Sequence, residues 1–296
     1  QSSSAKKKKK KRGGGGRDEP PQQPQAGARE HCVTVRALAG DRYARYVDEV
    51  ACRRTHVHSS SEGRIGYIHL PDCERLGFAE FHRHYLIECR RDGLVLDVRG
   101  NGGGHISDLI LEKLSQKIYG WEVPRCGQPY CVPSMAAPPA IVLLCDESTS
   151  SDGELLVHRF QTAGLGAVVG TRTWGGVMNA GESDPLIDTG SVGFPSATVF
   201  AVEPTAGTVS QLENRGAVPD IEVVIPPHMA RLRRDAQLEA AVEHAMRLLE
   251  RVPTEKVPAE IGWRMEPRIA ETMADQSSWP FSSEAAGGGG SGGRQR

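Results

Sequence analysis

Ala140-Ile141-Val142-Leu143-Leu144-Cys145, followed by Asp146-Glu147-Ser148-Thr149-Ser150-Ser151-Asp152-Gly153-Glu154 and then Leu155-Leu156-Val157, decides the fold. Six consecutive apolar residues are too short for a free helix and too continuous for a half-solvated strand, so they read as a strand buried on both faces of a parallel sheet. The polar turn after it runs into a helical segment, Gly153 to Ala163, and a further apolar stretch follows at Ala167 to Gly170. That order is a βαβ unit. A hydroxyl at such a strand-to-helix turn is lifted clear of the sheet, beside backbone N–H groups that the helix leaves unpaired. Ser, Thr and Asp also cap helices, so the turn alone reads Ser151 as either a nucleophile or a cap.

The same pattern extends outward. Arg64 to Leu70 reads as a strand, Gly77 to Arg90 as a helix, Gly93 to Val98 as a buried strand, and Ser107 to Lys117 as a helix with Leu109, Ile110, Leu114 and Ile118 on one face. On the C-terminal side, Ser196 to Val202 and Ile221 to Val224 read as strands. Asp235 to Arg251 reads as a helix whose Leu238, Ala241, Val242, Ala245, Leu248 and Leu249 form an apolar stripe. Between Gly93–Val98 and its helix lies Asp97-Val98-Arg99-Gly100-Asn101-Gly102-Gly103-Gly104. Without Cβ atoms such a loop brings its N–H groups close to an anion or a carbonyl oxygen, although a plain tight turn uses the same residues. Neither nucleotide-binding glycine pattern is present.

The ends have a different character. Residues 1–29 carry the run Lys6–Lys11, then Gly13–Gly16 and a Pro/Gln stretch, and 253–296 thin into Ser and Gly, so both are expected to be disordered. Residues 30–61 are read as a strand around Val33 and Val35, a helix over Asp41 to Arg54 and a polar turn at Ser59 to Gly63; 62–252 form the main domain. The net charge of −1, with basic residues concentrated in the arm and at Arg231–Arg234, argues against a nucleic-acid surface. Seven scattered cysteines without Cys-x-x-Cys spacing suggest neither a zinc site nor a disulfide framework; Cys126 and Cys131 would suit a bridge in an oxidising compartment, but reduced thiols are the simpler reading. No stretch has the roughly 18 to 20 apolar residues that cross a bilayer. A soluble, cytoplasmic protein without metal or cofactor, and without membrane or nucleic-acid partners, is the expectation.

Five motifs in collinear order, Arg64 to Asp72, Asp97 to Gly104, Ser151-Asp152-Gly153, Gly170-Thr171-Arg172-Thr173-Trp174-Gly175-Gly176-Val177 and Gly216-Ala217-Val218-Pro219-Asp220, together resemble the tricorn protease family, within the C-terminal processing peptidases. The resemblance covers about Val33 to Leu249. It implies an α/β fold of the crotonase/Clp-like kind, a spiral of βαβ units with a C-terminal helix. It also implies a serine endopeptidase acting on peptides or unfolded chains, assembled as a hexameric homo-oligomer. Residue by residue, it implies that Ser151 is the nucleophile and that the N–H groups of Gly104 and Asp152 form the oxyanion hole. Glu213 then orients the catalytic pair, and Glu122 is an acidic group in the pocket for the residue before the cleaved bond. In that family the general-base histidine comes from an upstream helical domain joined through a PDZ domain. The strand at Val33–Val35 resembles the last strand of such a PDZ domain, so the base is expected from outside this segment. His105 is expected to line the substrate cleft rather than act as base; His56 and His58 are expected in a linker, and His158 two turns beyond Ser151. The competing reading is a peptide-binding or assembly module without catalysis.

Overall fold

The computed structural model describes residues 37, 39–124, 128–182, 185–202, 208–232 and 234–251. The expected PDZ-like strand, Cys126 and both low-complexity ends lie outside these residues. The chain divides into two units, Gln1–Tyr46 and Val47–Arg296. Described residues of the first include the opening turn of helix α1 (Arg42–Ser60).

In the second unit the expected alternation is present. Strands β1 (Ile65–His69) and β2 (Gly93–Asp97) flank helix α2 (Arg75–Glu88), and α3 (Ser107–Leu114) follows the glycine loop. Strand β3 (Gly120–Glu122) pairs antiparallel with β4 (Tyr130–Val132). Strand β5 (Ala140–Cys145), helix α4 (Asp152–Thr162) and strand β6 (Ala167–Gly170) form the βαβ unit that carries Ser151. Strands β7 (Asn179–Glu182) with β8 (Gly193–Ala197), and β9 (Phe200–Val202) with β10 (Val209–Gln211), are antiparallel ribbons. Strand β11 (Ile221–Glu222), helix α5 (Pro227–Arg231) and helix α6 (Ala236–Arg251) complete the chain's described part.

The main sheet has the order β1-β2-β5-β6-β11, parallel throughout. Every residue of β1, β2 and β5 is buried; β5 is apolar throughout, whereas β1 and β2 end in the polar residues His69 and Asp97. Ile68, Leu94, Leu96, Ile141, Leu143 and Val168 pack with Phe81 and Tyr85 of α2, Ile110 of α3 and Leu156, Val157 and Phe160 of α4. Alternate residues of the same strands point to the opposite face. Helix α6, with Leu238, Ala241, Val242 and Ala245 buried, packs on β1, β2, β5 and β6. The sheet is therefore sandwiched, and its carboxyl edge carries both turns singled out in the sequence.

Three expectations need correcting. The helix expected over Asp41 to Arg54 runs on through Ser60 as α1 and carries His56 and His58, because no Gly or Pro interrupts Arg42–Ser60 and the break comes at Glu62 and Gly63, both with positive φ. The expected strand Ser196–Val202 is split between β8 and β9, which pair with different partners. Strand β11 is limited to Ile221–Glu222 by pairing with β6 over two residues.

Candidate active site

Ser151 caps α4, but not in the usual way. Its φ of 54° and ψ of −126° put a non-glycine residue in a region that costs about 1–3 kcal/mol, whereas ordinary N-caps are extended. The turn is held there from several sides. The Ser151 N–H donates to Gly176 O (2.9 Å) and Glu154 Oε1 (3.2 Å), Ser150 N–H donates to Asn101 O (2.9 Å), and Thr149 Oγ1 donates to Val98 O (3.0 Å). Thr149 O accepts the N–H of Trp174 at 3.0 Å. This network ties the turn to the glycine loop on one side and to Trp174–Gly176 on the other.

The glycine loop meets the turn directly. Buried Asn101 accepts the Gly103 N–H on Oδ1 (2.8 Å) and donates from Nδ2 to Leu70 O (3.0 Å). Gly103, at φ 98°, lies so close that a Cβ there would stand 2.5 Å from Ser151 Cβ and 3.0 Å from both Ser151 Oγ and the Asp152 nitrogen. Gly104 faces Cys73, and a Cβ on it would lie 1.9 Å from Cys73 O. Only glycine fits either position, and at Gly103 this leaves open the space beside the serine hydroxyl. Among the described residues no acceptor takes the N–H of Gly104 or of Asp152.

Side chains fix the two halves to each other. Asp152 accepts the Ser107 N–H on Oδ2 (3.0 Å) and the Ser107 hydroxyl on Oδ1 (2.5 Å), so a residue of α4 caps α3. Arg159 Nη1 in turn donates to Ser107 Oγ at 2.9 Å. Beneath the loop, Arg99 donates to Asp97 (2.9 and 2.7 Å) and to Asp235 just before α6 (2.8 and 2.9 Å). Full burial alone would raise the Asp97 pKa, but the charge and hydrogen bonds of Arg99 hold it well below the usual carboxylate range.

Glu213, on the loop after β10, accepts the N–H groups of Val177 and Met178 on Oε2, each at 2.8 Å. It therefore stands one residue along from Gly176, whose carbonyl holds Ser151. Two structural parts of the site escaped the sequence reading. Glu154 is fully buried and receives Thr173 Oγ1 (2.5 Å), Gly175 N–H (2.7 Å), Gly176 N–H (2.8 Å) and Ser151 N–H. The spacing Ser151-x-x-Glu154 is a capping-box signature and was the available signal. Asn101 was visible only as a loop residue.

The remaining expected residues stand apart from this network. Glu122 lies exposed on the β3–β4 ribbon beside Tyr130, whose hydroxyl pKa it raises through a hydrogen bond. His105, exposed and next to Gly104, borders an open groove of about 960 Å³ with Leu76, Phe78, Ile106 and Leu109. His158 is buried and shares a 2.8 Å hydrogen bond with Val202 O, and His69 is hydrogen-bonded to Arg99 O at 3.2 Å. Among the described residues no imidazole is hydrogen-bonded to Ser151. Chemically, the arrangement offers a hydroxyl on a strained turn packed against a glycine loop, with the Gly104 and Asp152 N–H groups unclaimed among the described residues.

Comparison with known proteins matches residues 64–223 to the model of peptidase family S41. Tricorn protease homolog 1 of Streptomyces coelicolor is 38% identical over 236 residues, covering 80% of this chain and 22% of that protein. The tricorn protease of Thermoplasma volcanium is 40% identical over 223 residues, covering 75% and 21% respectively. Among solved structures, the tricorn protease superimposes with a TM-score of 0.65 at 35% identity, over 72% of this chain and 20% of that one. The chain thus spans about a fifth of the length of these relatives.

Proposed function

The chain belongs to peptidase family S41, and on that basis we propose that it is the serine-nucleophile domain of a tricorn-like endopeptidase that cleaves peptides or unfolded chains. Ser151 attacks the scissile carbonyl, and the N–H groups of Gly104 and Asp152 take the oxyanion. Two donors fixed before the reaction need no reorganisation; loss of one typically costs about 3 kcal/mol of barrier. Glu213 orients the proton-transfer group, which is a histidine contributed from outside the described residues. Glu122 favours a basic side chain before the cleaved bond. The observation that carries this reading is the strained Ser151 set against Gly103 with the Gly104 and Asp152 N–H groups unclaimed.

The test is labelling of the chain, supplied with a histidine-bearing upstream helical domain, by a peptide phosphonate with a basic residue at its reactive end, followed by intact mass and peptide mapping. Labelling confined to Ser151 and lost in Ser151→Ala supports the assignment; equal labelling of the variant overturns it. The lack of an imidazole on Ser151 among the described residues favours a second reading, a cleft that binds peptides without cutting them. Peptide binding by calorimetry with no labelling at Ser151, even with an upstream helical domain added, would select it.

A further inference from the structure

Four successive backbone N–H groups, Gly175 to Met178, are divided between two carboxylates. The first two donate to Glu154 and the last two to Glu213. The carbonyls of the first two residues are used as well: Gly176 O accepts Ser151 N–H and Gly175 O accepts Asn214 N–H, at 2.9 and 2.7 Å. The segment is thereby bonded on one side to the nucleophile's turn and on the other to the turn carrying Glu213.

From this we infer that Gly175–Met178 is a spacer setting the separation of Ser151 and Glu213, and that Glu154 is the positioning residue that anchors it. The inference rests on the catalytic reading given above. Glu154 touches no substrate; it acts through the N–H groups it holds. Its two oxygens are both committed, Oε1 to Ser151 and Gly176 and Oε2 to Gly175 and Thr173. Thr173 Oγ1 donates to Glu154 and accepts the Ala217 N–H at 2.7 Å, but whichever way that hydroxyl turns, the Gly175 N–H still points at Oε2 and the Ser151 and Gly176 N–H groups at Oε1. A glutamine at 154 must therefore set an N–H against donors at one end or the other. Gly175 is also a fixed point. At φ 92°, a Cβ there would lie 3.1 Å from the nitrogens of Arg215 and Gly216.

The experiment compares Glu154→Gln, Thr173→Ser and Thr173→Val in the full chain, with Ser151→Ala as reference. Hydrogen exchange resolved to the 175–178 amides is one readout, and kcat, KM and the Ser151 labelling rate are the others. Glu154→Gln is expected to speed exchange at Val177 and Met178 as well as at Gly175 and Gly176. It is also expected to lower kcat and labelling by roughly 100-fold, the scale of a misplacement near 1 Å, with KM within about twofold. Thr173→Ser should behave as wild type and Thr173→Val should follow Glu154→Gln. The proposal is overturned if folded Glu154→Gln leaves the Val177 and Met178 amides as protected as before, or lowers kcat and KM-dependent binding together. Should Glu154→Gln not fold, the Thr173 pair decides by the same criteria. If Ser151→Ala equals wild type in turnover or labelling, the catalytic reading fails separately, and the exchange data still decide whether the spacer exists.

Discussion

Gly103 concentrates the chemistry of the site in one missing side chain. A methyl there would have to share space with Ser151 Cβ and stand beside both the hydroxyl and the Asp152 N–H. At φ 98° it would also strain the backbone by about 1–3 kcal/mol. Gly103→Ala is expected to abolish Ser151 labelling by about 10²-fold or more, while circular dichroism shows the sheet retained; labelling at the wild-type rate would show that the space beside Gly103 is not used. The glycines were legible in the sequence as a loop able to approach a ligand. Which of them touches Ser151 was not, because that depends on the register between β2 and β5, which are separated by the whole of α3 and the first ribbon.

At the scale of elements, α3 and α4 are joined head to head by Asp152, Ser107 and Arg159. Helix α3 has no side-chain cap of its own at Ile106, and the carboxylate from α4 supplies one. Ser107→Ala removes the hydroxyl from a buried carboxylate and is expected to destabilise the chain by about 1–3 kcal/mol in urea titration. An effect below about 0.5 kcal/mol would show that the Ser107 N–H alone satisfies Asp152. Helix and strand placement within the βαβ core was legible, since buried parallel strands are continuous apolar runs and α6 carries a clear stripe. The ribbons β3–β4 and β7–β8 were not: their strands are short and their exposed residues lack the alternation that a half-buried strand would display.

Across the whole sheet, the carboxyl ends of β1 and β2 are tied to the start of α6. His69, Asp97 and Arg99 are buried together with Tyr67, whose hydroxyl donates to Asp97 at 2.8 Å, and Asp235 closes the group. Burial pushes the His69 pKa down even though Asp97 raises it, as burial does for His84 and His244. Asp97 is also held low. For a group with a lowered folded pKa, stabilisation is present above its unfolded pKa and is lost as pH falls toward the folded value. With unfolded values of about 6.5 for histidine and 3.9 for aspartate, stability should decline first below about pH 6.5 and again below about pH 4. Urea midpoints from about pH 7.5 down to about pH 2.5 check this: His69→Gln should flatten the decline below about pH 6.5, and identical slopes in the two proteins would refute the His69 contribution.

The sequence by itself determined the βαβ architecture, the serine turn and the glycine loop, because apolar run length and glycine placement are local properties with local causes. Glu213 became a candidate through motif resemblance alone, since an acidic side chain in a polar loop has no local signature. Only the tertiary structure decided that Glu154 and Glu213 share one run of four N–H groups, that Asp152 caps a helix other than its own, and that Arg99 anchors the loop to α6. Those relations join residues from 21 to 136 positions apart, and they exist only because burial forces each buried polar group to find its partner wherever the fold brings one.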